Sequence, residues 1–205
     1  MTSETSISFV KNWLGPGSIN IFGLPFSGKD THGAILARDL NAALIGGGQI
    51  LRSQSAEHVQ KAIAAGKMAP TQEYLSLILP YFSRQEFSEK PLILSSIGRL
   101  HGEEQSVVDA AQTAGHPIKA VVYLKITEDD VYARWQSEER TIHRGERHDY
   151  AEHVLQTRLK EYYEKTLPVI EYYKNLGLLI EVDGRPPKND VTQDIYTKLA
   201  EKSTR

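Results

Sequence analysis

Cysteine is absent from the 205-residue chain. That excludes a disulfide framework, a thiolate-held zinc and a thiol nucleophile, and it fits a reducing compartment. An excess of one charge is missing too: 24 Lys and Arg stand against 26 Asp and Glu, a formal net charge of −2. A protein that grips nucleic acid or an anionic membrane needs a basic excess. Neither partner is expected, although a local basic pocket for a small anion is compatible with the same sum. No apolar run approaches the roughly 18 residues of a membrane span. The N-terminus lacks the basic-then-apolar layout of a secretion signal, so a cytoplasmic location is expected. What is present is ordinary for a soluble domain, with 40% hydrophobic and 24% charged residues. At about 150 residues per domain the length predicts one domain with a small insertion, enough to bury a core without staples.

Residues 1–17 read as an extension that caps the domain edge, and residues 18–205 as the domain. From Ser18 onward short apolar runs alternate with helical spacing. Strands are predicted at Ser18–Phe22, Ala43–Ile45, Leu92–Ser95, Ala120–Ile126 and Leu178–Val182. Helices are predicted over 29–40, 49–65, 71–87 with a kink at Pro80, and 103–114. Further helices are predicted from Thr127 to about Ser137, over 151–176 with a break at Pro168, and over 190–202. Strands separated by helices predict an α/β, five-stranded parallel sheet with helices on both faces, a three-layer sandwich. Ligands in such sheets sit beyond the carboxyl ends of the strands. The segments after Phe22, Ile45, Ser95, Ile126 and Val182 are therefore the places to look.

The first of these reads Gly23-Leu-Pro-Phe-Ser27-Gly28-Lys29-Asp30-Thr31. This is Gly-x4-Gly-Lys between a strand and a helix, a P-loop. Its glycines let backbone amides converge on an anion, the helix N-terminus adds positive potential, and Lys29 reaches the outer phosphates. The strict form places Ser or Thr directly after Lys to hold magnesium. In this chain that position is Asp30, and the hydroxyl of Thr31 comes one later.

That spacing resembles the adenylate kinase family, and the likeness runs from about Asn20 to Leu199. Gly46-Gly47-Gly-Gln-Ile-Leu-Arg52 resembles the family's monophosphate-gripping segment, and Ala65-Gly66-Lys67 the end of that lobe, placed at 46–70 and including Met68. Ser95-Ser-Ile-Gly-Arg99 stands where the family has Asp-Gly-Phe-Pro-Arg. Gln105 stands near the adenine-reading glutamine, displaced by two residues. Arg134 resembles the arginine that opens the lid, placed at 135–150. Arg147-His-Asp149, Arg158 and the run Glu161 to Gly184 resemble the C-terminal part. Without cysteine the lid is not of the zinc-holding kind, and it is short.

The resemblance implies a nucleoside monophosphate kinase acting on ATP and AMP with nucleotide-borne magnesium, expected as a monomer. It implies a catalytic set of Lys29, Arg99, Arg140, Arg147 and Arg158. ATP would be bound by Gly23, Ser27, Gly28, Lys29, Asp30, Thr31, Arg134, Gly184 and Arg185. AMP would be bound by Gly47, Arg52, Met68, Arg99 and Gln105. No side chain is assigned to the metal beyond Asp30 or Thr31 as candidates. Phosphoryl transfer asks for such a set, because it needs in-line positioning and cations on the equatorial oxygens more than covalent help.

The departures point to alternatives. Phe26 and Asp30 each replace a family Gly, and Ser95 replaces the Asp that orients magnesium waters. Gly47 lacks the family's hydroxyl. Glu138 falls where a lid arginine is expected, and Arg140 takes that role across a small insertion. A nucleotide-binding protein with little or no transfer activity, and a kinase for another nucleoside monophosphate, are the alternative readings. His143, His148 and His153 recur at five-residue steps, unlike the i, i+4 pair of a helical zinc site, and read as surface residues.

Overall fold

A computed structural model describes residues 3–137 and 152–204. Glu138, Arg140, His143, Arg147 and His148, singled out above, lie outside the described residues. Five parallel strands form one sheet: β1 (Ser18–Gly23), β2 (Ala43–Gly46), β3 (Leu92–Ser95), β4 (Ile118–Lys125) and β5 (Leu179–Asp183). Their order is β2-β3-β1-β4-β5. β1 lies in the middle and is buried at every residue, its polar Ser18 and Asn20 included, each of which donates to a backbone carbonyl.

The two-residue period of the strands divides the core into two layers. Ile19, Ile21, Ile93, Val122 and Leu124 face one side. There they meet α1 (Ser3–Leu14), α2 (Lys29–Leu40) and α10 (Lys188–Ser203). Phe22, Leu92, Leu94 and Val121 face the other side. They meet α3 (Gly47–Gln54), α4 (Glu57–Ala64), α5 (Thr71–Phe82), α6 (Glu104–Thr113) and α9 (Leu167–Asn175). A smaller third cluster joins Leu24 and Phe26 to Val131 of α7 (Glu128–Gln136) and to Leu155 and Leu159 of α8 (Glu152–Glu161). No helix among the described residues is long and apolar enough to cross a membrane.

Three expectations are corrected. The segment read as a lead-in forms helix α1, with Val10 and Leu14 fully buried against the first layer. Of its apolar residues Ile7, Val10, Trp13 and Leu14 pack there, while Phe9 is exposed. The helix expected over 49–65 is two helices, α3 and α4. Ser55 is extended between them, and its hydroxyl and amide both bond the Leu51 carbonyl, a local bond that competes with helix propagation. The long helix interrupted at Pro168 is interrupted earlier, by a π-turn at Tyr162–Thr166. Pro168 has no N–H to offer the Glu164 carbonyl, and the Leu167 amide bonds Tyr162 instead. By contrast α7 starts where expected, on a reciprocal cap between Thr127 and Asp130.

The candidate active site

β1, β2 and β3 all end on the same edge, and a cavity of about 450 Å³ opens there, a size suited to a small-molecule ligand. The loop after β1 forms its floor. Gly23 admits no side chain: a Cβ there would stand 2.5 Å from Ser27 Oγ and 2.7 Å from the Leu124 carbonyl. Gly28, at φ +97°, caps α2. The Lys29 ammonium folds over the loop, donating to the carbonyls of Gly23 at 2.9 Å and Leu24 at 2.7 Å and to Ser27 Oγ at 3.4 Å. These are neutral acceptors that an anionic oxygen outcompetes.

Arg52 comes from α3, Arg99 from the turn after β3, and Arg158 from α8. All three line this cavity with Lys29. A recess adjoining it is lined by Gly23, Met68, Arg99 and Arg158 together with Thr166. Burial, and then the nearby Arg158, push the Arg99 guanidinium below its ordinary pKa. Two cations held that close are destabilised by each other and stabilised by an anion between them.

The framework that aims these groups is specific. Asn20 of β1 donates to the Ile97 carbonyl at 2.8 Å, and the Gly98 amide donates to Tyr74 Oη at 2.8 Å. Together they fix the turn that carries Arg99. The carbonyl of Lys165, in the π-turn, accepts from the His101 amide at 3.0 Å. That bond ties the Arg99 loop to the helix of Arg158. Glu161, one turn beyond Arg158, pairs with Lys165 at 2.6 Å and accepts from the Met68 amide at 3.2 Å. Gly66 is pressed so close to α8 that a Cβ would meet the Val154 carbonyl at 2.7 Å.

On the other side of the loop, Arg134 donates to the carbonyl of Phe26 at 3.1 Å and to that of Gly184 at 2.5 Å. It clasps the loop to the turn after β5. Arg185 is exposed and bidentate with Asp183, whose carboxyl it lowers to about 2. Thr31 is exposed on the first turn of α2.

Two residues expected in the acceptor site are placed differently. Gln105 is exposed on α6 and is not brought to the cavity. Its amide is engaged by Asp109 and by Tyr172 Oη, at 2.8 Å each. Gly47 is buried, and the space where a side chain would go is taken by Tyr74 Oη and Ile97, each 3.1 Å from a built Cβ. Sequence reasoning assigned no role to Lys67, Glu161 or Thr166. Glu161 follows Arg158 at i+3, the spacing that puts two side chains on one helical face.

A family model for adenylate kinase matches residues 21–178. The chain belongs to the adenylate kinase family. It is 25% identical over 211 aligned residues to an adenylate kinase of Dehalococcoides mccartyi, covering 89% of this chain and 97% of that one. It is 29% identical to an adenylate kinase of Prochlorococcus marinus, with 87% and 96% covered. An adenylate kinase of Clavibacter michiganensis is 27% identical, with 90% and 94% covered. Membership makes the protein a nucleoside monophosphate kinase, and its parallel α/β sheet fits the P-loop fold of that family.

Against the family pattern, Phe26 holds a backbone that favours glycine, at φ +62°. Its ring is 9% exposed and packs with Leu24, Val131 and Leu159. Phe26→Gly relieves about 1 kcal/mol of left-handed strain but removes a buried ring worth about 3–5 kcal/mol. The variant is therefore expected to be less stable by about 2–4 kcal/mol in urea unfolding. A variant more stable than the parent would contradict this.

Glu103 is 2% exposed beside Arg99 and Tyr74, and burial raises its carboxyl to about 7. The raised group favours folding below the unfolded value near 4.5, and that contribution fades as pH rises toward 7. His32 is 5% exposed, bonded to Thr192 at 3.1 Å, and lowered to about 4 by burial and then by Arg134. It acts in the opposite sense, its contribution being lost as pH falls from 6.5 to 4. Comparing Glu103→Gln with the parent cancels His32. The parent's stability relative to the variant is expected to fall between pH 5 and 7.5, and a flat difference would contradict the assignment.

Proposed function

We propose that this protein moves a phosphoryl group reversibly from ATP to AMP, giving two ADP, as a monomer in the cytoplasm. The observation that carries the reading is the convergence of Lys29, Arg52, Arg99 and Arg158 on one cavity at the strand ends. Two arginines beyond the Lys29 loop suit an acceptor that is itself phosphorylated, rather than a plain alcohol. On this reading Arg52 and Arg99 hold the acceptor monophosphate, bidentate and permanently charged. The loop amides and Lys29 hold the donor's outer phosphates.

An oxygen of the acceptor phosphate attacks the terminal phosphorus as the bond to the departing ADP oxygen breaks in line. Arg158 meets the charge on the equatorial oxygens. Arg140 and Arg147 are proposed, on the resemblance alone, as further cations for the same group. No protein base is needed, since the attacking oxygen is already anionic. Arg134 is proposed for the donor base side, where it already bridges the loop and the Gly184 turn.

Magnesium fits the residues present. Asp30 and Ser95 offer hard oxygen atoms at the cavity wall. Among the described residues no group of three or more His, Asp or Glu could hold a metal ion. When bound, it neutralises charge on the phosphates.

The test offers Mg-ATP with AMP, CMP, UMP and GMP in turn. ADP formation is expected with AMP above the others. A different preferred acceptor would move the substrate within the same class. No ADP above a Lys29→Met control with any acceptor would favour a nucleotide-binding protein without transfer, the reading that Ser95, Phe26 and Asp30 motivate.

A further inference from the structure

Asp30 is an anion placed in a cradle for anions. It directly follows Lys29 on the first turn of α2 and lines the same cavity as Lys29, Arg52, Arg99 and Arg158. A carboxylate there opposes phosphate unless a cation stands between them. It is also held in place: Ser95, at the end of β3 and 8% exposed, donates its hydroxyl to Asp30 Oδ1 at 2.9 Å. That bond links two adjacent segments of the cavity wall and orients the carboxylate. A carboxylate tolerated only for the helix terminus it sits on would need no such partner.

We propose that Asp30, oriented by Ser95, is the carboxylate that receives the divalent cation of the bound nucleotide, through the cation's water shell or directly. Ser95 acts as its positioning residue. The metal-facing carboxylate has thus moved from the end of β3 to the start of α2, with the hydroxyl taking the other place. This rests on the reading of the cavity as a nucleotide site. It goes beyond that reading by assigning the cation side.

The test measures binding of a non-hydrolysable ATP analogue calorimetrically to the full-length chain, in EDTA and then across a magnesium series. Manganese, whose spin signal reports its binding, serves as a second readout. Asp30→Asn is expected to raise the half-saturating magnesium concentration by about 10–100-fold, as loss of an outer carboxylate does at other metal sites. Binding in EDTA should stay equal or become tighter, because a repulsive charge is gone. Ser95→Ala should show the same trend, more weakly. The exchange variant Asp30→Ser with Ser95→Asp should recover metal dependence that Asp30→Ser lacks.

An unchanged magnesium midpoint in Asp30→Asn, with nucleotide bound normally, would overturn this assignment and leave the nucleotide site intact. Failure of the parent protein to bind the analogue with or without metal would instead remove the nucleotide reading itself. Thermal unfolding of each variant separates a folding defect from a metal effect.

Discussion

Lys29→Met is expected to lower phosphoryl transfer by about 10²–10³-fold, the cost of removing one charge-stabilising donor from a closed site. The ammonium donates to Gly23, Leu24 and Ser27 of its own loop, so it is already aimed at the place where phosphate oxygens would lie. Those carbonyl contacts contribute little net stability, about 1 kcal/mol each. The variant should therefore fold, with its stability lowered by about 2 kcal/mol. Turnover should fall more than ATP affinity, because the cation matters most where charge builds up during transfer. A fall in kcat of less than threefold, with intact folding, would mean that Lys29 serves the loop's structure and not the reaction.

Arg99→Ala is expected to raise the acceptor KM by about 10–100-fold, the range for charged hydrogen bonds to phosphate. Donor affinity should move little. Burial and Arg158 already disfavour the Arg99 charge, so the free enzyme loses no favourable pairing between the two cations, and Arg158 is left with less repulsion. Stability should change less than acceptor binding does. The turn itself is held by Asn20 and Tyr74 through backbone contacts that do not involve the Arg99 side chain. Equal loss of donor and acceptor affinity would contradict the division of the cavity into two phosphate sites. Arg99→Lys should rescue only part of the loss, since an ammonium cannot grip two oxygens in one plane.

The sheet was legible because its signals are local. A buried β1 with Ile19, Ile21 and Phe22, a glycine loop and a helix in direct succession leave few alternatives, and β1 and α2 lie where the periodicity puts them. The cap of Thr127 and Asp130 was legible for the same reason. Helix α1 was not, because its burial depends on α10, at the far end of the chain. The break at Ser55 turns on a single hydroxyl bonding back to Leu51, and no period announces it.

In the site, Lys29 could be read from its own loop. Arg52, Arg99 and Arg158 could not be read as one cluster from spacing, because α3, the turn after β3 and α8 bring them together from distant parts of the chain. Only the resemblance suggested that link, and the three side chains line one cavity. Resemblance is a poorer guide where this chain departs from the pattern: Gln105 faces Asp109 and Tyr172, and Tyr74 fills the space beside Gly47. The Asp30–Ser95 bond joins two separate departures that look unrelated in sequence.

The most direct measurement is a crystal structure with two adenosines linked through five phosphates, a mimic of both substrates at once. One molecule per chain is expected, its phosphate bridge between Lys29 Nζ and the guanidinium groups of Arg52, Arg99 and Arg158. A bridge bound elsewhere, or Lys29 still bonded to its own loop with the nucleotide in place, would contradict the two-phosphate-site reading.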